Sequence, residues 1–248
     1  MKPSKAKDER DPGEALALGI GIFVVVGAVA APLALRQSPA TPPVHAPASK
    51  AVAPRGLRIP HAADVLRLDG ELDEPSWRAS ARTGSFLTGE GKEATPYSDA
   101  RFAWTQGALR VGLYASDEDI VAARVPADGP VWQGDAFHLV IETDGVEHVF
   151  DVGPTCVLAD GERRDGERID YAWQSDAKLA CDADGTIDVP GDMDEEWVVE
   201  MEIPLAALGL QGTAGERAEV RIRRCDVGSG QRRGGCGEIA PTVLILGE

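Results

Sequence analysis

The stretch that decides the fold is Val131-Trp132-Gln133-Gly134-Asp135-Ala136-Phe137-His138-Leu139-Val140-Ile141. A turn-like segment leads directly into a run in which Phe137, Leu139 and Ile141 alternate with other residues. Alternation with a period of two is typical of a strand that buries one face. The large ring of Trp132 is therefore expected where a strand begins, at the rim of the core. A ring in this position either caps the core or offers a flat face to a ligand.

The same alternation recurs on both sides of this stretch, whereas few segments carry a helical period. Strand-like runs cover residues 101–105, 109–114, 147–152, 196–203, 219–227 and 242–246. Turn residues such as Thr143-Asp144-Gly145 join neighbouring runs into hairpins. Short helical turns are expected at 73–77, where Pro75 comes early, and at 205–210. The pattern predicts an all-β fold, an antiparallel β-sandwich with one or two short helices.

An uncharged apolar segment, residues 15–35, precedes this region. As a helix it would span roughly 31 Å at ~1.5 Å per residue, about the thickness of a hydrocarbon core. We expect residues 1–14 to form a cytoplasmic tail and residues 15–35 a single transmembrane helix. Residues 36–55, rich in Pro and Ala, are typical of an extended linker. Residues 56–248 then form the folded domain.

This organisation predicts a single-pass protein of the bacterial inner membrane, with its domain on the periplasmic side. Basic residues are slightly more frequent before the apolar segment than after it, which favours a cytoplasmic N-terminus. A cleaved signal peptide is the alternative, because Ala28-Val29-Ala30 offers a small-x-small cleavage site. The domain would then be secreted.

The predicted domain is strongly acidic. The chain has 25 Lys and Arg against 41 Asp and Glu, and residues 1–55 hold 7 and 4 of these, which leaves 18 and 37 and a net charge of −19. Such a domain repels nucleic acids, anionic lipids and anionic polysaccharides. It suits neutral ligands or ligands that bind through divalent cations.

The four cysteines, Cys156, Cys181, Cys225 and Cys236, are an even set in a predicted extracytoplasmic domain, which favours disulfides. Cys225 and Cys236 bracket a Gly-rich loop that one bridge could close, and Cys156–Cys181 would then be the second bridge. A zinc site with four thiolates is the alternative, although the sequence lacks a C-x₂-C pair.

An ordered set of motifs resembles the family 9 carbohydrate-binding modules and their sandwich relatives. The set comprises L-D-G-x-L-D-E-x-x-W at 68–77, W-x-G-D-x-F at 132–137, W-x-V-E-M-x-I-P at 197–204 and R-x-R-R-C-D at 221–226. It covers about residues 64–227. The resemblance implies an extracytoplasmic β-sandwich that binds sugars, is often attached to glycoside hydrolases and often holds structural calcium.

The resemblance also implies a site. Trp132 would stack on a sugar ring, and His138, where the family usually carries Glu, would hydrogen-bond a hydroxyl. The family's second aromatic is expected after Arg224, but residues 226–237 contain no aromatic. Further ligand contacts are therefore sought in nearby loops, at Tyr171, Trp173, Arg163 and Arg164. For each ring the alternative is a cap on the edge of the core.

The sequence also predicts a binding site for calcium. Asp182, Asp184 and Asp188 supply the oxygen density that a hard cation prefers. The segment is not an EF-hand, because the twelfth position counted from Asp182 is Met193 rather than Glu. The alternative is a solvated acidic turn.

The chain has no G-x-S-x-G, H-E-x-x-H or P-loop sequence, so no catalytic residue is predicted. The sequence predicts a membrane-anchored module that binds a neutral polysaccharide or oligosaccharide without catalysis. A further possibility is that the domain assists a separately encoded glycoside hydrolase. The alternative is a degenerate sandwich that interacts with another protein of the cell envelope.

Overall fold

We describe the protein from a computed structural model, which describes residues 55–228 and 234–248. The predicted tail at 1–14, the apolar segment at 15–35 and all of the linker except Arg55 lie outside these residues. Among the described residues, no helix combines the length and apolar character needed to cross a membrane.

The described residues form a β-sandwich, which confirms the predicted fold class. One sheet has the strand order β1-β12-β10-β5-β6-β7, with β11 also paired to β10, and the other has the order β2-β3-β4-β9-β8. The strands are β1 (Arg55–Ile59), β2 (Ala81–Arg82), β3 (Ser98–Trp104), β4 (Ala108–Ser116), β5 (Ala136–Thr143), β6 (Val146–Val152), β7 (Leu158–Arg164), β8 (Lys178–Asp184), β9 (Glu196–Pro204), β10 (Arg217–Asp226), β11 (Gly235–Glu238) and β12 (Thr242–Leu246).

Two features differ from the expected antiparallel sandwich. β1 pairs with β12 in parallel, with Arg55 opposite Thr242 and Ile59 opposite Leu246. β1, β2, β7 and β8 were not predicted as strands, and in β7 and β8 charged and small residues interrupt any apolar alternation. The helical segments are short, as expected: α1 (Pro75–Ala79) and 3₁₀ turns at Val131–Gln133 and Leu205–Leu208.

The core lies between the two sheets and follows the alternation read from the sequence. Phe137, Leu139 and Ile141 of β5 are fully buried in the main apolar cluster. From the opposite sheet, Trp197 packs against Phe137 with ring centroids 5.0 Å apart. This packing fixes which face of β5 is turned outward.

Both expected disulfides are present, and no cysteine among the described residues is free, which excludes the zinc alternative. Cys225 and Cys236 lie directly opposite each other in β10 and β11. Cys156, just before β7, is bonded to Cys181 of β8 and therefore links the two sheets.

Two of the quoted motifs meet in space. The indole N–H of Trp77 donates to Glu200 Oε1 at 2.7 Å, and the backbone N–H groups of Asp69 and Gly70 donate to Glu200 Oε2 at 3.0 Å. Gly70 has a φ of 92°, and a Cβ there would lie 2.5 Å from the backbone nitrogen of Asp182. Only glycine fits this close approach. The motif at 68–77 is thus fastened to β8 and β9.

Candidate functional site

The outer face of the first sheet carries the polar residues of the candidate site. His138 of β5 lies opposite Asp151 of β6 on one side and Arg223 of β10 on the other. Because the core takes Phe137 and Leu139, alternation turns His138 away from the core. These three positions, which lie opposite one another on neighbouring strands, therefore present an imidazole, a carboxylate and a guanidinium side by side.

A cavity of about 270 Å³ opens on this face. Its walls come from β5, β7, β10, β11 and the segment before β12: His138, Val140, Arg163, Arg221, Ile222, Arg223, Glu238, Ile239 and Pro241. The lining combines apolar surface with hydrogen-bonding groups, as small-molecule sites commonly do.

Trp132 lies in the 3₁₀ turn that precedes β5, and 52% of its surface is exposed. Its ring centroid lies 6.3 Å from that of Tyr171, with the two planes 31° apart. Tyr171 packs over β7 at Gly161, where a Cβ would come within 3.2 Å of the tyrosine ring. The small residue in β7 therefore makes room for the ring that supports Trp132.

A buried carboxylate connects His138 with Tyr171. The Asp151 side chain is 3% exposed, and its Oδ1 lies 2.6 Å from Nδ1 of His138. Burial raises the pKa of Tyr171, and the charge of Asp151 and its hydrogen bond with the tyrosine hydroxyl raise that pKa further. Two side chains, one from β5 and one from the loop after β7, thus interact with one carboxylate of β6.

Sequence reasoning missed Asp151, although a signal for it exists. The turn at 144–145 places Thr143 opposite Val146, and counting backwards along the hairpin places His138 opposite Asp151. The register alone therefore predicts a histidine–carboxylate pair once the turn is recognised.

The other predicted ligand contacts are dispersed. Arg163 lines the cavity and pairs with Glu147, whereas Arg164, on the opposite face of β7, pairs with Glu162 at 3.2 Å. Trp173 packs against the main core, with its ring 5.2 Å from His148 and 6.3 Å from Phe150. The structure therefore places His138 and Arg163 around one cavity and Trp132 against Tyr171, and it places Trp173 and Arg164 elsewhere.

The three aspartates predicted to bind calcium do not converge. Asp182 and Asp184 are exposed on β8. Asp188 accepts the N–H of Ala122 at 2.8 Å and pairs with Arg124 at 2.9 Å, so both of its oxygens have partners. Within residues 55–228 and 234–248, two other groups have three carboxylates with oxygens within 4.8 Å of one another: Asp69, Glu74 and Glu200, and Asp117, Asp135 and Asp226.

Each group has one carboxylate that pairs with an arginine, which in the first group is Asp69 with Arg67, so the two groups differ in their remaining oxygens. In the second, the guanidinium of Arg224 already pairs with Asp117 and lies 3.9 Å from Asp226. In the first, Oε2 of Glu74 is buried without a hydrogen-bond partner among the described residues. A buried acceptor of this kind fits a cation, so the first group has the better donor set for calcium.

Comparison with known proteins identifies the fold. Neither protein-family models nor curated protein sequences give a match to this chain. A candidate carbohydrate-binding protein from Bacteroides uniformis superposes with a TM-score of 0.59 at 15% identity, over 77% of this chain and 99% of that one. A family 9 carbohydrate-binding module from Caldicellulosiruptor kristjanssonii in complex with cellotriose has a TM-score of 0.53 at 13% identity, over 78% and 94%.

The structure of a Caldicellulosiruptor kristjanssonii family 9 module in complex with glucose has a TM-score of 0.52 at 13% identity, over 77% of this chain and 96% of that one. These similarities extend over nearly the whole length of each neighbour and cover the sandwich described above. The chain therefore has the β-sandwich fold of the family 9 carbohydrate-binding modules.

Proposed function

We propose that this domain binds a neutral glycan without catalysis, with Trp132 as its stacking surface. The observation that carries the proposal is a half-exposed Trp ring supported by Tyr171, at the start of the strand whose His138 lines a polar cavity. A pyranose has an apolar face of C–H groups that packs on an aromatic ring, while its hydroxyls require polar partners. The fold shared with carbohydrate-binding modules supports this assignment.

The charges around the cavity favour an uncharged ligand. Glu147 pairs with both Arg163 and Arg221, and Arg221 also pairs with Glu142 at 3.1 Å. The guanidinium groups are thus balanced by carboxylates, and the paired groups offer hydrogen-bond donors and acceptors rather than excess charge. A polyhydroxylated neutral ligand matches this lining.

The ring pair acts as one surface rather than as a clamp. A sugar held between two rings needs faces about 7–8 Å apart, twice the ~3.5–4.0 Å van der Waals contact. The centroids of Trp132 and Tyr171 are 6.3 Å apart, which is too close for a sugar between them. The ligand would therefore stack on the exposed face of Trp132 while Tyr171 supports the ring.

The test is a fluorescence titration of the full-length protein with cellotriose and glucose, the sugars in the neighbouring structures. Trp77, Trp104 and Trp197 are buried, Trp173 is partly buried, and Trp132 is exposed, so a saturable change reports on Trp132 if it is absent from Trp132→Ala and retained in Trp173→Phe. We expect Trp132→Ala to weaken binding about tenfold or more, equivalent to ~1.4 kcal/mol. Because this variant lacks the reporting ring, its affinity and that of the wild type are compared by isothermal titration calorimetry.

Met193→Ala is the matched control, because Met193 is an exposed apolar side chain, 76% accessible, on a different loop. It should leave the affinity unchanged. Retention of full affinity by Trp132→Ala would refute the proposed stacking surface.

A cell-envelope protein-interaction module is the second candidate. The exposure of Val189 and Met193 in the loop before β9 favours it, because protein contacts often use such apolar side chains. Absence of binding to any neutral glycan by the folded protein would select this candidate over the first.

We also propose that residues 15–35 anchor the domain to the bacterial inner membrane with the linker 36–55 as a spacer, or direct its secretion if they are cleaved. The domain would then act outside the cytoplasm, where disulfides persist. As an accessory module it would hold a separately encoded glycoside hydrolase near its polysaccharide. A structural calcium ion, if the protein carries one, would be held by Asp69, Glu74 and Glu200, and would fasten the loop before α1 to β9.

A further inference from the structure

We infer that Asp151 determines the hydrogen-bonding polarity of the site. It holds His138 as the tautomer protonated on Nδ1, so that Nε2 presents an acceptor to the ligand. A bound glycan must therefore donate a free hydroxyl at this point. The ligand part of this inference rests on the proposed function, whereas the tautomer part does not.

The first step is the geometry of the pair. Nδ1 of His138 lies 2.6 Å from Oδ1 of Asp151, within hydrogen-bond distance. An ionised carboxylate only accepts hydrogen bonds, so the proton lies on Nδ1. In a neutral imidazole the second nitrogen then has no proton and accepts.

The second step is the difference in exposure between the partners. The Asp151 side chain is 3% exposed, whereas that of His138 is 45% exposed and lines the cavity. The carboxylate is therefore shielded from solvent, and a shielded ionic hydrogen bond is stronger than an exposed one. Since Nδ1 is engaged, Nε2 is the ring nitrogen that a ligand can reach.

The third step is that Asp151 also lies close to the aromatic surface. Its charge acts on the Tyr171 hydroxyl, and the ring of Tyr171 lies against that of Trp132. The acceptor for the hydroxyl therefore lies beside the support for the stacking ring. Asp151 is a positioning residue that acts through His138.

The experiment begins without ligand. Long-range ¹H–¹⁵N NMR of the full-length protein at mildly alkaline pH distinguishes the two tautomers, because protonated and bare ring nitrogens have different ¹⁵N shifts. The chain has only 4 histidines, and the signals missing in His138→Gln assign the ring. We expect a protonated Nδ1 and a bare Nε2 for His138.

Asp151→Ala should move the proton largely to Nε2, and Asp151→Asn should populate both tautomers, because the negative charge that selects Nδ1–H is gone. Asp144→Asn is the matched control, since Asp144 is an exposed aspartate in the turn of the same hairpin. It should leave the tautomer unchanged. If Asp151→Ala does not fold, Asp151→Asn carries the comparison.

The second arm adds ligand. Cellotriose has hydroxyl donors that its O-methylated analogue lacks. We expect the wild type to bind cellotriose about tenfold more tightly than the analogue. Asp151→Asn should lose most of this difference in affinity. His138→Gln and Asp151→Asn combined should weaken binding little more than either alone, because both disable one unit.

A protonated Nε2 in the wild type, or a tautomer that Asp151→Ala leaves unchanged, would overturn the inference. The ligand part of the inference would also be overturned if the tautomer is as expected but the wild type binds cellotriose and its methylated analogue equally tightly. Failure of all neutral glycans to bind, with the tautomer as expected, would overturn the proposed function and leave the role of Asp151 toward His138 established.

Discussion

Asp135, the last residue of the Trp-Gln-Gly-Asp turn, ties three segments together. It is fully buried, and its two oxygens accept the backbone N–H groups of Val121 and Val227, each at 2.7 Å. Burial is the main cause that raises its pKa to about 7, and the charge of Asp117 adds to it, while the two N–H groups and Arg224 oppose the shift. Through these hydrogen bonds Asp135 positions the segments around Val121 and Val227 relative to the turn that contains Trp132.

This shift predicts a pH dependence of stability. An aspartate whose folded pKa is raised from 3.8 to about 7 binds more protons in the folded than in the unfolded state between those values. Its contribution to the free energy of unfolding therefore falls as the pH rises from ~4 to ~7. Urea denaturation across this range should show a smaller fall for Asp135→Asn than for wild type.

Glu71→Gln is the control for this prediction, because Glu71 is an exposed carboxylate in the loop before α1. Its pH profile should match that of the wild type. Parallel profiles for Asp135→Asn and wild type would contradict the assignment.

Single residues were predicted from the sequence when local pattern decided their environment. The position of Trp132 at the rim and the outward direction of His138 follow from the turn and the alternation that follows it. The partnership of Trp132 with Tyr171 could not be predicted, because it depends on how the chain after β7 folds back over Gly161. Trp173, only two residues further, packs on the core instead.

At the scale of elements, the loop before α1 shows how one motif is held by another. Glu200 of β9 accepts hydrogen bonds from Trp77 and from the backbone of residues 69 and 70. Burial raises the pKa of Glu200, and the three hydrogen bonds act against that shift. A cation at this place would offset the repulsion between Glu200, Glu74 and Asp69.

This arrangement gives a test of calcium. If calcium binds here, adding EDTA should lower the Tm of the wild type by several degrees, and added calcium should restore it. In Glu74→Gln the response to EDTA should disappear, whereas Asp184→Asn, which changes an exposed carboxylate on β8, should retain it. A wild-type Tm that is the same with EDTA and with calcium would exclude the site.

The sequence pattern did not predict the strands at the edges of the sheets. β7 and β8 are the outer strands of their sheets, and each has a neighbour on one side only. An edge strand tolerates charge and small residues, since those features discourage pairing with other chains. Periodicity therefore fails at the edges while it identifies the central strands β5 and β9.

At the scale of the whole molecule, the disulfide between Cys156 and Cys181 joins the two sheets along the β7–β8 side. It closes a sequence separation of 25 residues, against 11 for Cys225–Cys236. A longer closed loop restricts the unfolded chain more, which corresponds to ~3.5 and ~2.8 kcal/mol of stabilisation in the chain-entropy estimate.

We therefore expect replacement of Cys156 and Cys181 by Ala to lower the free energy of unfolding more than replacement of Cys225 and Cys236. Guanidinium denaturation of the two double variants under oxidising conditions measures this difference. The first variant should also weaken the site, because the closed loop includes Tyr171. Equal or reversed losses of stability would show that local strain or packing outweighs loop closure.

The sequence by itself determined the all-β sandwich, the β3–β4 and β5–β6 hairpins, the presence of disulfides and the position of Trp132 at the start of a strand. These features are encoded locally, in period-two alternation, turn residues and spacing along the chain. Only the tertiary structure decided that β1 joins β12 in parallel, that Glu200 receives Trp77, and that Asp151 connects His138 with Tyr171. Such contacts join segments distant in sequence, so strand register and close packing select them rather than the pattern of any one segment.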